Sequence, residues 1–126
     1  MLSVDDIKKS SDRRTKEIEI PEWGGAVLLA EFTAADRDWF EGKSLQIAAN
    51  VNDASIGAIM KGFRSETVRR GLVDAELKPM FGKSDNTILG KSSLVIDRLF
   101  DELSKLNEFD EEEIEKATEN LNEAQS

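Results

Sequence analysis

The hydrophobic pattern near the start of the chain has the period of a β-strand. Ile18 and Ile20 alternate with glutamates, which is the period-2 pattern of a half-buried strand. Pro21 either ends this strand or marks a sheet edge, because proline cannot donate a backbone hydrogen bond to a neighbouring strand. The residues before it, 1–15, are polar, and we expect them to form a flexible arm or a short helix.

A second strand follows after a short turn. Trp23-Gly24-Gly25 has the composition of a turn, and the apolar run 26–32 is suited to a returning strand. The two strands therefore predict a β-hairpin over 16–32 with the two glycines at its tip.

Beyond the hairpin the apolar residues recur at helical spacing. Thr33 can cap a helix whose first turn holds Asp36, where the helix dipole favours a carboxylate. Trp39 and Phe40 follow, and core packing is their simplest role. Gly42 is expected to weaken this helix.

The middle of the chain is divided between an ambiguous segment, 43–52, and an apolar stripe. The stripe predicts a helix that starts near Asp53 and that the chain leaves through Pro79. A short helix from Ser84 to Leu89 is expected next. The stripe consists of Ile56, Ile59, Met60, Phe63, Val68 and Leu72.

Two further helices are predicted in the last third. One presents a core-facing stripe of Val95, Ile96, Leu99, Phe100, Leu103 and Leu106. The other starts near Glu111, with Asp110 as its cap and Phe109 and Ile114 positioned as a hydrophobic staple. Its apolar face, including Leu121, is narrow, so we expect it to dock only weakly.

These elements predict a fold that is α+β and mainly α. A hairpin packs on a small helical bundle, and an acidic C-terminal helix docks weakly on this body. The predicted organisation is one domain over 1–107, helical over 33–107, followed by an acidic helix or tail over 108–126.

Charge is distributed unevenly along the 126 residues, whose formal net charge is −9. Residues 1–84 hold 14 acidic and 13 basic side chains, whereas residues 85–126 hold 12 and 4. Two interpretations of the acidic end remain open: a solvated helix end that keeps the protein soluble, or a tail that contacts a partner.

Two other features also have two interpretations. The basic stripe of Lys61, Arg64, Arg69 and Arg70 is either a solvated helix face or a docking surface for the acidic end of a neighbouring copy, which would give head-to-tail self-association. Trp23 either packs against the body or contacts a partner. The candidate partner-binding residues are therefore Trp23, Lys61, Arg64, Arg69, Arg70, Ile114 and Leu121.

Composition excludes several kinds of chemistry. Without His, Cys or Tyr, the chain has no thiol or imidazole nucleophile and no Cys/His zinc site. Gly90-Lys91-Ser92 resembles the end of a phosphate-binding loop, but Asp85 stands where that motif needs glycine. The acidic run at 110–113 is explained by helix capping. We expect no catalytic residue, no metal and no cofactor.

The charge balance and hydropathy also limit the partners. A pI near 4.6 argues against binding to the phosphates of nucleic acids. The longest apolar run, at 26–30, is far shorter than the roughly 20 residues that cross a bilayer. We expect neither a nucleic acid nor a membrane as partner.

Five segments resemble the tail assembly chaperones of long-tailed, siphovirus-type bacteriophages and related prophages. The similarity covers about 16–107, although 42–60 lacks the family pattern and 74–77 lacks the glycine expected before Lys78. The segments are IPEWGGAV at 20–27, EFTAADRDWFE at 31–41, GLVD at 71–74, KPMF at 78–81 and KSSLVIDRLF at 91–100.

The resemblance implies a non-enzymatic protein of virion assembly. Such a chaperone binds the tape measure protein, keeps it soluble, and helps to recruit the tail tube protein. The family often includes a longer form made by ribosomal frameshifting, which would be a further partner. The resemblance also implies action in the host cell cytoplasm and absence from the mature virion.

Two other functions compete with this one. An acidic decoy would occupy a nucleic-acid-binding protein through its C-terminal carboxylates. A hydrolase that uses Asp, Lys and Ser groups has little support in the sequence.

Overall fold

A three-stranded antiparallel sheet followed by helices forms the body of the protein, which confirms the predicted fold class. The computed structural model describes residues 1–109 apart from Asp53 and Lys61. Its elements are α1 (Val4–Lys9), β1 (Thr15–Ile20), β2 (Gly25–Ala30), α2 (Ala34–Ala49), α3 (Ile56–Met60), α4 (Phe63–Gly71), β3 (Leu72–Val73) and α5 (Ser93–Asn107).

The hairpin of β1 and β2 has the predicted location, but its tip differs. The strands pair from Thr15 with Ala30 to Ile20 with Gly25. A 3₁₀ turn over Pro21–Trp23 joins them, and Gly24 ends that turn with a φ of 78°. Gly25 already belongs to β2, so the tip is a proline-initiated turn closed by a single left-handed glycine.

The third strand corrects the prediction that the middle helix continues past Leu72. That helix ends at Gly71, and Leu72 and Val73 pair with Leu29 and Leu28 of β2. Both strand residues are buried. Because an apolar residue at a helix end suits a buried strand equally well, periodicity could not distinguish the two states.

A second correction is that the apolar stripe from Ile56 spans two helices. Gly62 lies between α3 and α4 and has a φ of 73°, a left-handed conformation that breaks a helix. The predicted short helix from Ser84 is also wrong in extent, because only a 3₁₀ turn over Ile88–Gly90 forms there.

Helix α2 begins as predicted and ends later than expected. The Thr33 side chain accepts a hydrogen bond from the Asp36 amide at 3.2 Å, which confirms it as the cap. The helix runs through Gly42 without a break and ends at Ala49. The ambiguous segment 43–52 is therefore mostly helix.

The core lies between the sheet, α2, α4 and α5, and aromatic rings dominate it. Phe40 is at its centre, with ring centroids 5.5 Å from Phe63, 6.2 Å from Phe32 and 6.4 Å from Phe100. The predicted stripe on α5 faces this core, with Val95, Ile96, Leu99, Phe100 and Leu103 buried.

Phe109 also belongs to this core. Its ring is 5.5 Å from Phe32, and it is 5% exposed. The predicted Asp110 cap, the staple partner Ile114 and the rest of the acidic helix lie outside the described residues.

Candidate interaction surface

The basic stripe is engaged mainly in contacts within the protein. Arg69 is 6% exposed, its Nε donates to Glu66 at 2.9 Å, and its Nη1 donates to the Phe81 carbonyl at 3.0 Å. The expectation of a solvated helix face is therefore wrong for Arg69. Lys61 lies outside the described residues.

Arg70 connects α4 to α2. Its Nη1 lies 2.7 Å from Asp36 Oδ1, its Nε lies 3.0 Å from Glu66 Oε1, and its guanidinium lies 4.4 Å from the centroid of the Trp39 ring. Both Arg70 and Asp36 are 18% exposed at their side chains. The cation thus joins two helices through a half-buried ion pair and a cation–π contact.

The carboxylate of Glu66 is held in its charged form by these arginines. Burial raises the pKa of Glu66, but hydrogen bonds and charge from Arg69 and Arg70 outweigh burial and lower it below its ordinary value. Arg64, on the same helix, lies 3.2 Å from Asp97 of α5. A docking role for the arginines stays a prediction, and each already has an acidic partner.

Trp23 is half-buried and packs against the core from the hairpin tip. A bidentate ion pair fixes this tip on α5: Arg98 donates to both carboxylate oxygens of Glu22, at 3.0 and 2.6 Å. The pKa of Glu22 falls to about 2, chiefly because of the hydrogen bond from Arg98. Packing is the observed role of Trp23, and its contact with a partner stays a prediction.

The other two candidate residues, Ile114 and Leu121, lie outside the described residues. Of the predicted set, the part of the chain that the structure describes brings together Arg64, Arg69 and Arg70 along α4, whereas Trp23 lies in the turn of the hairpin.

An open groove that sequence reasoning missed lies beside α4. It has a volume of about 300 Å³ and is lined by Trp39, Phe63, Ile88 and Leu89 together with polar residues. We call it the Leu89 groove. Ile88 is buried whereas Leu89 is 58% exposed. The hydrophobic periodicity of the sequence does not predict this difference in burial.

Lysines give the Leu89 groove a positive rim. Lys43 and Lys83 line it, and within the part of the chain that the structure describes neither has a carboxylate within ion-pair distance. Asp85 is also at the groove, where hydrogen bonds from Thr87 lower its pKa. The groove combines aromatic rings with two lysines that the described residues leave without an ion pair, an arrangement suited to an amphipathic segment that carries acidic side chains.

Large apolar side chains are exposed elsewhere as well. Leu45 on α2, Met80 before the 3₁₀ turn and Leu94 on α5 are 66%, 51% and 75% exposed. Another group lies at the N-terminus: Met1, Leu2, Val4 and Ile7 are each at least 60% exposed.

The described residues do not form a metal centre or a membrane span. Among them, no three acidic side chains converge as cation ligands. None of their helices has the length and apolar character that crossing a bilayer requires.

The chain was also compared with known proteins. No protein-family model, curated protein or solved structure matches it.

Proposed function

We propose that this protein is a tail assembly chaperone of a long-tailed bacteriophage or a related prophage. It binds the tape measure protein, keeps that long helical chain soluble, and helps to recruit the tail tube protein during assembly. It acts in the host cell cytoplasm, leaves no copy in the mature virion, and makes or breaks no covalent bond.

The order and spacing of the five similar segments carry the proposal. Contacts join these segments in the fold: Glu22 pairs with Arg98, and Val73 forms a β-bridge with Pro79. The similar segments therefore form a connected part of the folded body.

Two exposed apolar side chains within these segments favour a binding role. Met80 and Leu94 are 51% and 75% exposed, while Val95 and Ile96, which follow Leu94, are buried in the core. Core packing therefore does not account for either residue. Exposed apolar side chains on a charged protein are suited to transient cover of an apolar helical partner.

The net charge of −9 favours the same role. A chaperone that covers apolar surface must keep the complex soluble, and a large net charge of one sign resists aggregation. Charge of this sign is also unsuited to binding the phage genome.

Co-expression tests the proposal. The protein is produced with the tape measure protein encoded near its gene, and the soluble fraction is purified through a tag on the chaperone. We expect the tape measure protein to be soluble and to co-purify only when the chaperone is present. A tape measure protein that stays insoluble in the presence of the chaperone would overturn the proposal.

A matched pair of variants locates the contact. Leu94→Asp changes an exposed residue within a similar segment, and Leu45→Asp changes a comparably exposed residue outside all five. We expect Leu94→Asp to reduce co-purification at least about tenfold, since a buried charge in an apolar contact is costly, and Leu45→Asp to leave it unchanged. Circular dichroism of both variants verifies that they are folded.

A further inference from the structure

The N-terminal helix α1 is well formed locally but covers no core. Ser3 and Asp6 make a capping box: the Asp6 amide donates to the Ser3 side chain at 3.1 Å, and the Ser3 amide donates to the Asp6 carboxylate at 2.9 Å. At the other end Ser10 Oγ donates to the Ile7 carbonyl at 2.7 Å. None of its residues is buried.

This helix exposes an apolar face. Leu2, Val4 and Ile7 are 73%, 68% and 60% exposed. Leu2 precedes the cap and Ile7 is the fourth helical residue, which are the positions of a hydrophobic staple, and Val4 lies three residues before Ile7 on the same side of the helix. The apolar side chains of the helix therefore share one side.

A helix of this length needs tertiary support. Isolated helices shorter than about 12 residues are marginal in water, because the first turn fixes several dihedral angles for a single hydrogen bond. Helix α1 has six residues and receives no such support from its own body, since residues 1–12 are all exposed. Contact with a second protein surface would supply that support.

The N-terminal arm, residues 1–12, joins the body at a point from which it can reach such a surface. The body begins at Arg13, whose Nε donates to the Glu31 carbonyl at 2.7 Å and whose Nη1 donates to the Leu77 carbonyl at 3.2 Å. The 12 residues before Arg13 are all exposed with respect to the rest of the described chain, so they extend away from the body at this point. As in other exchanged segments, such an arm can pack on a second protein molecule at low cost.

We propose that α1 docks in the Leu89 groove of a second copy of this chain. Leu2, Val4 and Ile7 cover the aromatic floor of the groove, and the acidic first turn of the helix faces the rim formed by Lys43 and Lys83.

Charge complementarity selects this occupant. Helix α1 has Asp5 and Asp6 in its first turn and Lys8 and Lys9 in its last turn. The charged side chains that line the groove include Glu66 and Arg69, which pair with each other. The groove also has Lys43 and Lys83, which lack a carboxylate partner within the described residues, and it has Asp85 as a further acid. Each end of the helix thus finds opposite charge, while its apolar side finds the rings of Trp39 and Phe63.

This contact differs from the head-to-tail mode that the basic stripe suggested. Arg64, Arg69 and Arg70 already pair with acidic side chains of their own chain, whereas the lysines of the groove have no such pair among the described residues. The inference also stands apart from the proposed chaperone function, because it concerns association between copies in the absence of any phage partner.

Sedimentation of the full chain tests the proposal. We expect wild-type protein to self-associate at low salt with a dissociation constant in the range of about 1–100 μM, and to dissociate as salt rises. Leu2→Asp with Ile7→Asp should shift the protein to monomer. Leu45→Asp, an exposed apolar residue that does not line the groove, serves as the control and should leave association unchanged.

A charge exchange gives the sharper result. The arm variant, Asp5→Lys, places a lysine opposite the lysines of the groove. The groove variant, Lys43→Glu with Lys83→Glu, places two glutamates opposite Asp5. We expect each variant alone to associate at least about tenfold more weakly than wild type. An equimolar mixture of the two variants should associate again. The unchanged arm of the groove variant can bind the unchanged groove of the arm variant, and the lysine arm can bind the glutamate groove.

The outcomes that overturn the proposal are distinct. Wild-type protein that is monomeric at about 0.5 mM and low salt would show that the contact is too weak to form. Association that survives both sets of variants would assign the interface to another surface. If each variant associates more weakly but their mixture does not regain association, the arm and the groove are not in contact.

Discussion

The rings of Phe109 and Phe40 stack face to face, with centroids 4.0 Å apart and planes at 9°. The outer face of Phe109 receives the guanidinium of Arg37 at 4.8 Å from the ring centroid. The chain after α5 is thereby anchored on α2. A residue that the sequence assigned to an acidic tail is part of the core of the body.

Two truncations that differ by two residues test the importance of this anchor. Removal of 110–126 should leave the described body folded, whereas removal of 108–126 should destabilise it by about 3 kcal/mol, since the loss of a buried Phe side chain costs about 3–5 kcal/mol. Urea unfolding measures the difference. Equal stability of the two truncated proteins would contradict the packing of Phe109.

The same pair separates the two leading functions. A decoy that acts through its C-terminal carboxylates should lose partner binding when 110–126 is removed, while a chaperone should retain part of its binding to the tape measure protein. The chain cut after Phe109 is the correct test protein, because the cut after Asn107 combines loss of the tail with damage to the core.

The hairpin, the cap of α2 and the apolar stripe of α5 were predictable because each depends on local signals. Thr33 caps its helix whatever the rest of the chain does, and a stripe on one side of a helix has few alternatives to burial. Strand β3 was not predictable, since two apolar residues acquire strand geometry only through pairing with Leu28 and Leu29.

In the turn after β3, local hydrogen bonds offset an unfavourable backbone conformation. Leu77 has a φ of 64°, the left-handed conformation that glycine favours. Asp74 compensates with a side-chain oxygen that accepts from the amides of Glu76 at 2.9 Å and Lys78 at 3.0 Å. The glycine that the tail assembly chaperones lead one to expect here is absent, but the turn conformation that glycine would suit is present.

The Leu89 groove could not be predicted from the sequence for a related reason. Its walls come from α2, from the start of α4 and from the loop around Leu89, which are distant in sequence and have no shared motif. The exposure of Leu89 reveals it, together with two lysines that have no acidic partner in the described part of the chain. The arginine stripe, in contrast, was visible in the sequence, but the sequence did not show that Glu66, Asp36 and Asp97 neutralise it.

Gly71→Ala and Gly42→Ala should have opposite effects on stability. The difference follows from the close packing of α4 on α5 at Gly71. A Cβ on Gly71 would lie 2.3 Å from Leu103 Cδ2, and Leu103 is fully buried, so it cannot move aside cheaply. Gly71→Ala should therefore destabilise the protein by about 1–3 kcal/mol. Thermal and urea unfolding measure this loss.

Gly42 provides the matched control. It lies inside α2, and a Cβ there would have no heavy atom within 4 Å among the described residues. Gly42→Ala should stabilise the protein by about 0.5–1 kcal/mol, because alanine loses less backbone entropy in a helix. If both substitutions have the same sign, the close approach of α4 to α5 is not as described.

The ion pair between Arg70 and Asp36 should contribute measurable coupling. A double-mutant cycle with Arg70→Met and Asp36→Asn should give an interaction energy of about 1–2 kcal/mol, since residues in contact commonly couple by 0.5–3 kcal/mol and this pair is mostly shielded from solvent. Methionine retains the aliphatic stem that packs beside Trp39. Chemical unfolding of the four proteins measures the coupling.

The exposed pair of Lys105 and Asp101 is the control for that cycle. Their side chains are 67% and 64% exposed, and their N···O distance is 3.0 Å. Solvent screens such pairs, so the same cycle there should give no more than about 0.5 kcal/mol. Coupling as large at this pair as at Arg70 and Asp36 would mean that burial is not what strengthens the inner pair.

Acid should weaken the attachment of the hairpin tip to α5. The Arg98 hydrogen bonds lower the pKa of Glu22 from 4.5 to about 2, so the folded state binds the proton less tightly than the unfolded chain does. The stabilising contribution of Glu22 is therefore complete above about pH 4.5 and is lost as the pH falls toward 2. Glu22→Gln should unfold at lower urea concentration than wild type at pH 7, and the two midpoints should converge toward pH 2. Arg98→Gln should behave in the same way, because it removes the partner that lowers the pKa of Glu22. A difference in urea midpoint between variant and wild type that stays constant from pH 7 to pH 2 would contradict the assigned pairing.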